Sequence, residues 1–464
     1  MTAKELSQKI MKFSKDYFLM DVRMDRENFY ALTKKDLEEN YICICGIIHN
    51  LILDGELKKA LELIESIPDD FPIRILKPGL KLVHPQISWK EFITTINSLK
   101  KADMPLNSVI LTAGRPYLLN GFNDFTRIGP LLEKYKALFM EDLKILYEGE
   151  CVPFIYKLCL AEYKYQTNNL LDAEVLVSQT IKSLDMKSER RLLFVALYLQ
   201  SKILLAHDKI INTENFIKNI KDFVKDKGKA EFSYNIDAAE ILFSLYEGNS
   251  TLVSKWIESS APNEFTNFNM LDLYRYMIKI RCYIVFGDYA AVVSLAEKLR
   301  PLLEMGKRHA DICELDILLS MAFYRAEKKE LAFKTLERAL KVVRRRKYYR
   351  LAADEGEIML HLLIDYVNEK GNSDFLMMLI NMTREMAIAY PLYLKLSYSK
   401  GKTFSQIETD ILKLLEQGKS KEEIGEYFFI SVNTVKYHLK KIYAKLEVNT
   451  AHHAVWEARI QKII

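Results

Sequence analysis

Three breaks in the chain are followed, five and twelve residues later, by positions that share one helical face. Gly55 is followed by Ala60 and Ile67, Asn168 by Ala173 and Thr180, and Glu327 by Ala332 and Ala339. Residues seven apart return to the same side of an α-helix after two turns. Small residues there let a second helix approach closely, which is the requirement of stacked helical hairpins. Ile67 is the bulky exception and fits this pattern poorly. The break at Gly287, Asp288 and Tyr289 is of the same kind; Gly287 lies 40 residues before Glu327 and 119 after Asn168, close to three such units. The spacing predicts a degenerate helical repeat with a period near 40, running from about residue 32 to 389.

The composition agrees with a helical reading. Glycine and proline together make up 27 of 464 residues, about 6% against a usual level of roughly 12%, so the residues that punctuate hairpins and turns are scarce. The length allows two to four domains. Repeats of this kind are expected to stack into a superhelix of the tetratricopeptide type, whose concave surface takes peptides, proteins or small effectors. The alternative is a spacer or dimerisation arm.

The net charge of +5 is only mildly basic, so any nucleic-acid signal must be local. Six cysteines, Cys43, Cys45, Cys151, Cys159, Cys282 and Cys313, lie in apolar helical stretches with no CxxC pair, and read as reduced core residues. The first sixteen residues lack the apolar core and cleavage site of a signal peptide, and no apolar run reaches the ~18 residues that span a bilayer. The expectation is a soluble, cytoplasmic protein with no membrane partner. The eight histidines are scattered, and His452 and His453 are adjacent, so they cannot share a helical face as ligands at i and i+4 do. With no nucleophile motif and no carboxylate pair, neither enzyme activity, nor a metal, nor a cofactor is expected.

Two local features interrupt the array. Residues 111–129, LTAGRPYLLNGFNDFTRIG, are rich in glycine, aromatics and turn formers, and lack the GxxxxGK[ST] spacing of a phosphate loop. They read as an irregular connection, or as an effector-contacting loop with Arg115, Tyr117, Asn120 and Asp124 as polar contacts. The run Arg344, Arg345, Arg346 and Lys347 closes a predicted helix, where cations complement the helix dipole and stay solvated.

After Pro391 the pattern changes. Residues 391–403 read as a polar linker and 404–464 as a new compact unit, leaving 1–390 as the repeat region. Ser405 is placed to cap a helix bearing Ile407, Ile411, Leu412, Leu414 and Leu415, which Gly418 stops. Ser420 with Glu423 forms a capping box opening a short helix through Ile424 and Tyr427. Ile430 and Ser431 make a turn, and Ser431 caps a third helix whose Val435, Leu439, Ile442 and Leu446 face the core. Its other side carries Asn433, Lys436, Tyr437, Lys440 and Lys441, with Lys445 near the end. Lysines there reach phosphates and guanine edges, and Thr434 or the helix N-terminus contacts phosphate oxygens. A last helix from about Thr450 presents Ala454, Val455 and Ala458 as a small apolar stripe.

The stretch GKSKEEIGEYFFISVNTVKYHLKKIYAKLEV resembles the LuxR-type, or NarL/FixJ-type, helix-turn-helix domain over about 60 residues, through Gly418, Ser420, Glu423, Ile424, Ile430, Ser431, Thr434, Val435, Lys436, His438, Ile442, Lys445, Leu446 and Val448. The resemblance implies base reading by Lys436, Tyr437 and Lys440, backbone contacts from Thr434 and Lys445, a packing role for His438, and a dimer interface at Ala454, Val455 and Ala458. Three positions depart from the family: Ile407 stands for an arginine usual before Glu408, Gly425 for an alanine, and Ala451 for an arginine. Upstream, ALKVVRRRKYYRLAADEGEIMLHLL resembles the last repeats of the large MalT-like regulators, whose superhelix senses an inducer. Their nucleotide-binding switch domain has no counterpart here, since there is no Walker A lysine, and no receiver-domain pattern appears either.

The resulting expectation is an all-α chain, a tetratricopeptide-like superhelix followed by a four-helix LuxR-type domain. It would bind double-stranded DNA as a homodimer at half-sites roughly 10 base pairs apart. An unknown effector or protein would act on the repeats, and RNA polymerase is a further candidate partner. The competing reading is an interaction scaffold whose helix-turn-helix has little DNA affinity, supported by the departures at Ile407 and Ala451.

Overall fold

In the computed structural model each break in the repeat pattern is the same backbone reversal. Gly55, Asn168, Gly287 and Glu327 take φ values of 79°, 63°, 72° and 59°. This left-handed conformation ends a helix by turning the following N–H groups back onto its last free carbonyls. Gly248, Lys307 and Lys347 do the same at 70°, 52° and 58°. Lysine is disfavoured there by roughly 1–2 kcal/mol, so tertiary packing, and not residue preference, sets those turns.

The structure describes residues 1–11, 23–67, 86–99, 114–143, 151–184, 190–207, 233–265, 268–395, 404–446, 448, 450–460 and 463–464, with isolated positions at 77, 80, 81 and 84. Helical hairpins follow one another: α1 (Cys43–Leu53) and α2 (Leu57–Ser66), α3 (Val152–Gln166) and α4 (Leu170–Ser183), α5 (Leu273–Phe286) and α6 (Tyr289–Met305), α7 (His309–Arg325) and α8 (Lys329–Arg346), α9 (Gly356–Lys370) and α10 (Asp374–Ala389). Helices over Arg190–Ala206, Ser233–Glu247 and Ser250–Ser259 fill the middle of the array. Among the described residues the only pairing of extended backbone is a single bridge between Asn120 and Asp124. The fold is all-α, and no described helix is long and apolar enough to cross a membrane.

The small residues that marked the repeat are where helices meet: Ala60, Ala173, Thr180, Ala332 and Ala339 are all fully buried. Ile67 does not crowd its hairpin because α2 ends at Ser66; Ile67 is the extended cap at ψ 122° and enters the core from outside the helix. Five of the six cysteines are buried and Cys151 is half-buried.

Residues 114–126 form a strap threaded through the array, and charged side chains of the repeats bind its main chain. The buried Arg308 guanidinium donates to the carbonyls of Phe122 and of Gly121, the latter at 2.9 Å, and to Asn120 Oδ1 at 3.2 Å, while pairing with Asp311 at 2.9 Å. Glu162 on α3 accepts the N–H groups of Leu118 and Leu119, both at 2.9 Å. Arg115 pairs with Asp311 and, at 2.6 Å, with Glu314. Asp124 accepts the Ala310 N–H at 2.9 Å and faces Arg346 at 3.4 Å. Buried main-chain groups outside regular structure must find such partners.

This packing fits the reading of the segment as an irregular connection, in which Arg115, Tyr117, Asn120 and Asp124 are structural. Their side chains are buried and occupied within the protein; Tyr117 packs edge-on against Tyr198. The basic run is likewise not wholly solvated, since Arg346 turns inward to Thr126 and Asp124. Beside the strap a cavity of about 40 Å³ remains, lined among others by Tyr165, Lys202, Tyr274, Arg281, Arg350 and Asp354. That is room for little more than water. The expected linker also begins later than residue 391: Tyr393 stacks on Tyr246 at 4.1 Å between ring centroids and donates to Glu355 at 2.9 Å, and Lys395 reaches Glu357 at 2.7 Å. Positions 396–403 lie outside the described residues.

Burial pushes the Glu162 carboxyl up to about 7 from an ordinary 4.5, against the pull of the strap N–H groups and Arg115. An acid whose folded pKa is raised takes up a proton on folding, so its stabilising contribution is complete below about pH 4.5 and is lost as pH rises to 7. Chemical denaturation of wild type and Glu162→Gln across that range is expected to show the difference moving steadily in the variant's favour as pH rises. A difference independent of pH would contradict the buried, proton-binding state.

Candidate nucleic-acid interface

The C-terminal helices are α11 (Gln406–Glu416), α12 (Lys421–Phe428), α13 (Val432–Leu446) and α14 (Ala451–Ile460), and their starts are fixed by side-chain caps. Ser405 and Glu408 form a reciprocal capping box at 3.1 and 2.8 Å, as do Ser420 and Glu423 at the same distances. Ser431 Oγ accepts the Thr434 N–H at 3.2 Å, and the two hydroxyls lie 2.9 Å apart. Caps of this kind contribute about 1 kcal/mol each. Between α12 and α13 the chain reverses at Phe429, whose φ is 54°, and Ile430 N–H returns to the Gly425 carbonyl at 2.8 Å.

Burial sorts the faces of α13. Val435, His438, Leu439, Ile442 and Leu446 are buried, whereas Asn433, Lys436, Tyr437 and Lys440 are exposed and Thr434 and Lys441 half-exposed. The Lys441 ammonium sits 4.5 Å from the Tyr437 ring centroid, a cation–π contact. Lys445 behaves differently: it pairs with the buried Glu408 carboxylate and lies 5.4 Å from the Phe404 ring centroid. Its charge braces α13 against α11.

Lys421, at the first position of α12, joins Lys436 and Lys440 along a groove of about 580 Å³ that continues past Tyr443 to Val448. Sequence reading missed it. The available signal was electrostatic, because a cation in the first turn of a helix opposes the dipole and gains nothing locally. Three ammonium groups on two helices, with Asn433 and Tyr437 beside them and the capped N-terminus of α13, make a surface suited to a polyanion whose phosphates and base edges lie within one groove width.

Residues 402–458 match the family model described as bacterial regulatory proteins of the luxR family. Residues 149–369 match the MalT-like TPR region. The chain carries a LuxR-family domain behind MalT-like repeats. Two relatives, each called HTH-type transcriptional regulator MalT and coming from two strains of Klebsiella pneumoniae, are 23% and 22% identical over 244 residues, covering 48% of this chain and 27% of each relative. The chain thus spans about a quarter of the length of these curated relatives.

Within the LuxR-family domain the residues of the expected dimer stripe face the interior of one copy. Ala454 and Ala458 are fully buried, packed inside the domain where α14 meets α11 and α13, and Val455 is half-buried. Small residues on α14 serve close packing within one copy, while its outer side shows His452, His453, Trp456 and Arg459, the last paired with Glu416 at 2.5 Å.

The LuxR-family domain also explains its glycine at 425. A Cβ there would stand 2.8 Å from the Ile430 carbonyl oxygen. Alanine would gain about 1 kcal/mol of helix propensity, but overpacking against fixed backbone costs roughly 1–3 kcal/mol. Gly425→Ala is therefore expected to destabilise the domain by about 1 kcal/mol, read by calorimetry of the full chain; an increase in the unfolding temperature would refute the backbone clash.

Proposed function

We propose that this chain is a transcription regulator that binds double-stranded DNA through α13. In this reading Lys436, Tyr437 and Lys440 read base edges; Ser431, Asn433, Thr434, Lys441 and Lys421 contact phosphates, and Lys445 positions α13 through Glu408. The observation that carries it is the exposed basic face of a helix whose opposite face is fully buried, within a domain of the LuxR family. Binding as a homodimer belongs to the proposal, with α14's outer side, and not its alanines, available for contact.

Control by an effector or partner protein on the repeats is part of the same reading, supported by the MalT-like region. In this reading the strap residues are structural, since Arg115, Asn120 and Asp124 already pair with Asp311, Glu314, Arg308 and Arg346 inside the protein. The scaffold reading has less support, since one of its two motivating departures, Ile407, has a packing explanation.

Selection of genomic DNA fragments by the full chain at near-physiological salt, where phosphate contacts are not overstated, tests the proposal. Wild type is expected to enrich a two-fold-related motif. The Lys436→Ala/Lys440→Ala variant is expected to lose it, each base contact being worth ~1–3 kcal/mol. Equal enrichment by both proteins, or by neither, would count against α13 as the reading element.

A further inference from the structure

The LuxR-family domain rests against the last repeat hairpin, and the contact is polar at its centre. Arg384 on α10 is 8% exposed, and no ion pair among the described residues includes it. One guanidinium nitrogen donates to Asn381 Oδ1 at 2.7 Å on its own helix; the other crosses to the LuxR-family domain and donates to the Phe428 carbonyl at 3.0 Å. Phe428 is the last residue of α12. Its carbonyl is one of those a helix leaves without a partner at the end that carries the negative half of the dipole.

Mostly apolar side chains from both sides surround that bond. Ile364 and Ile388 come from α9 and α10, and Ile407, Phe428 and Ile430 from the LuxR-family domain, with the imidazoles of His361 and His438 beside them, leaving a gap of only about 10 Å³. Ile407 is the position where the resembling family places an arginine. An arginine there would bring a second cation beside Arg384; isoleucine, 6% exposed, closes the seam instead. His438, on the same helix as Lys436 and Lys440, turns its ring into this seam while those lysines face away.

We propose that Arg384 is a latch: it caps the carboxyl end of α12 from the neighbouring domain, and with the apolar seam it makes the reading helix a rigid extension of the last repeat hairpin. A shift of α9 and α10 is then passed directly to α13, whose DNA-facing side stays open. This deepens the proposed function, because coupling matters only if α13 reads DNA, but the docking itself is measurable without DNA.

The test is single-molecule energy transfer on the full chain, with dyes on encoded non-natural residues replacing Lys370 and Lys419. Wild type is expected to give one narrow distance population. Arg384→Met keeps the stem and removes the donors, and Ile388→Glu charges the seam at a half-exposed position; each is expected to broaden or split the population while the far-UV circular dichroism is retained. Should Arg384→Met fail to fold, Ile388→Glu still decides. A broad wild-type population, or variants that keep the wild-type distance, would overturn the latch. A docked wild type that releases in the variants but has no affinity for a random-sequence DNA duplex would support the latch and remove the DNA-reading role.

Discussion

The structure depends on a main chain held by charged side chains in its interior. Removing Arg308, Asp311, Glu314, Glu162 and Arg346 from water is costly unless each finds a partner of opposite sign or a hydrogen-bonding group. The strap at 114–126 supplies those groups, offering carbonyls to Arg308, N–H groups to Glu162 and the Asp124 carboxylate to Arg346. The interaction ties α3 and the much later hairpin of α7 and α8 to one segment. Burial tends to raise Glu314, yet Arg115 and Arg281 hold it at about 2, so these pairs stay charged at neutral pH.

That interior shapes what the repeats can do. A superhelix with an empty channel would offer its concave wall to a ligand, whereas here the strap runs through the array and the cavity beside it, lined by Tyr117, Tyr165, Tyr198, Tyr246 and Tyr274, is only about 40 Å³. The end of the array bears on this directly, since α9 and α10 carry the contact with the LuxR-family domain.

In that domain one helix divides its labour by face. Val435, Leu439, Ile442 and Leu446 bury one side, and Asn433, Lys436, Tyr437 and Lys440 remain in water on the other. Lys445 shows why spacing alone does not assign a lysine to DNA. It lies one turn beyond Lys441 on the same helix, yet a buried carboxylate on α11 captures it.

The caps at Ser405, Ser420 and Ser431, the core positions of α13, the repeat's buried small residues and the exposed lysines were all legible, because caps and periodicity act within a few residues of chain. The buried state of Arg115, Asn120, Asp124 and Arg346, the inward packing of Ala454 and Ala458, the capture of Lys445 and the docking of residues 391–395 were not. Polar residues in a turn-rich stretch, small residues on a short helix and lysines on an amphipathic one look the same whether they face water or another segment. Local sequence determined which segments are helices, where those with caps or glycine breaks stop, and which face of each is apolar. Tertiary structure alone decided which polar groups are enclosed, because burial and charge pairing depend on partners as far away in sequence as Asp124 is from Arg346, 222 residues.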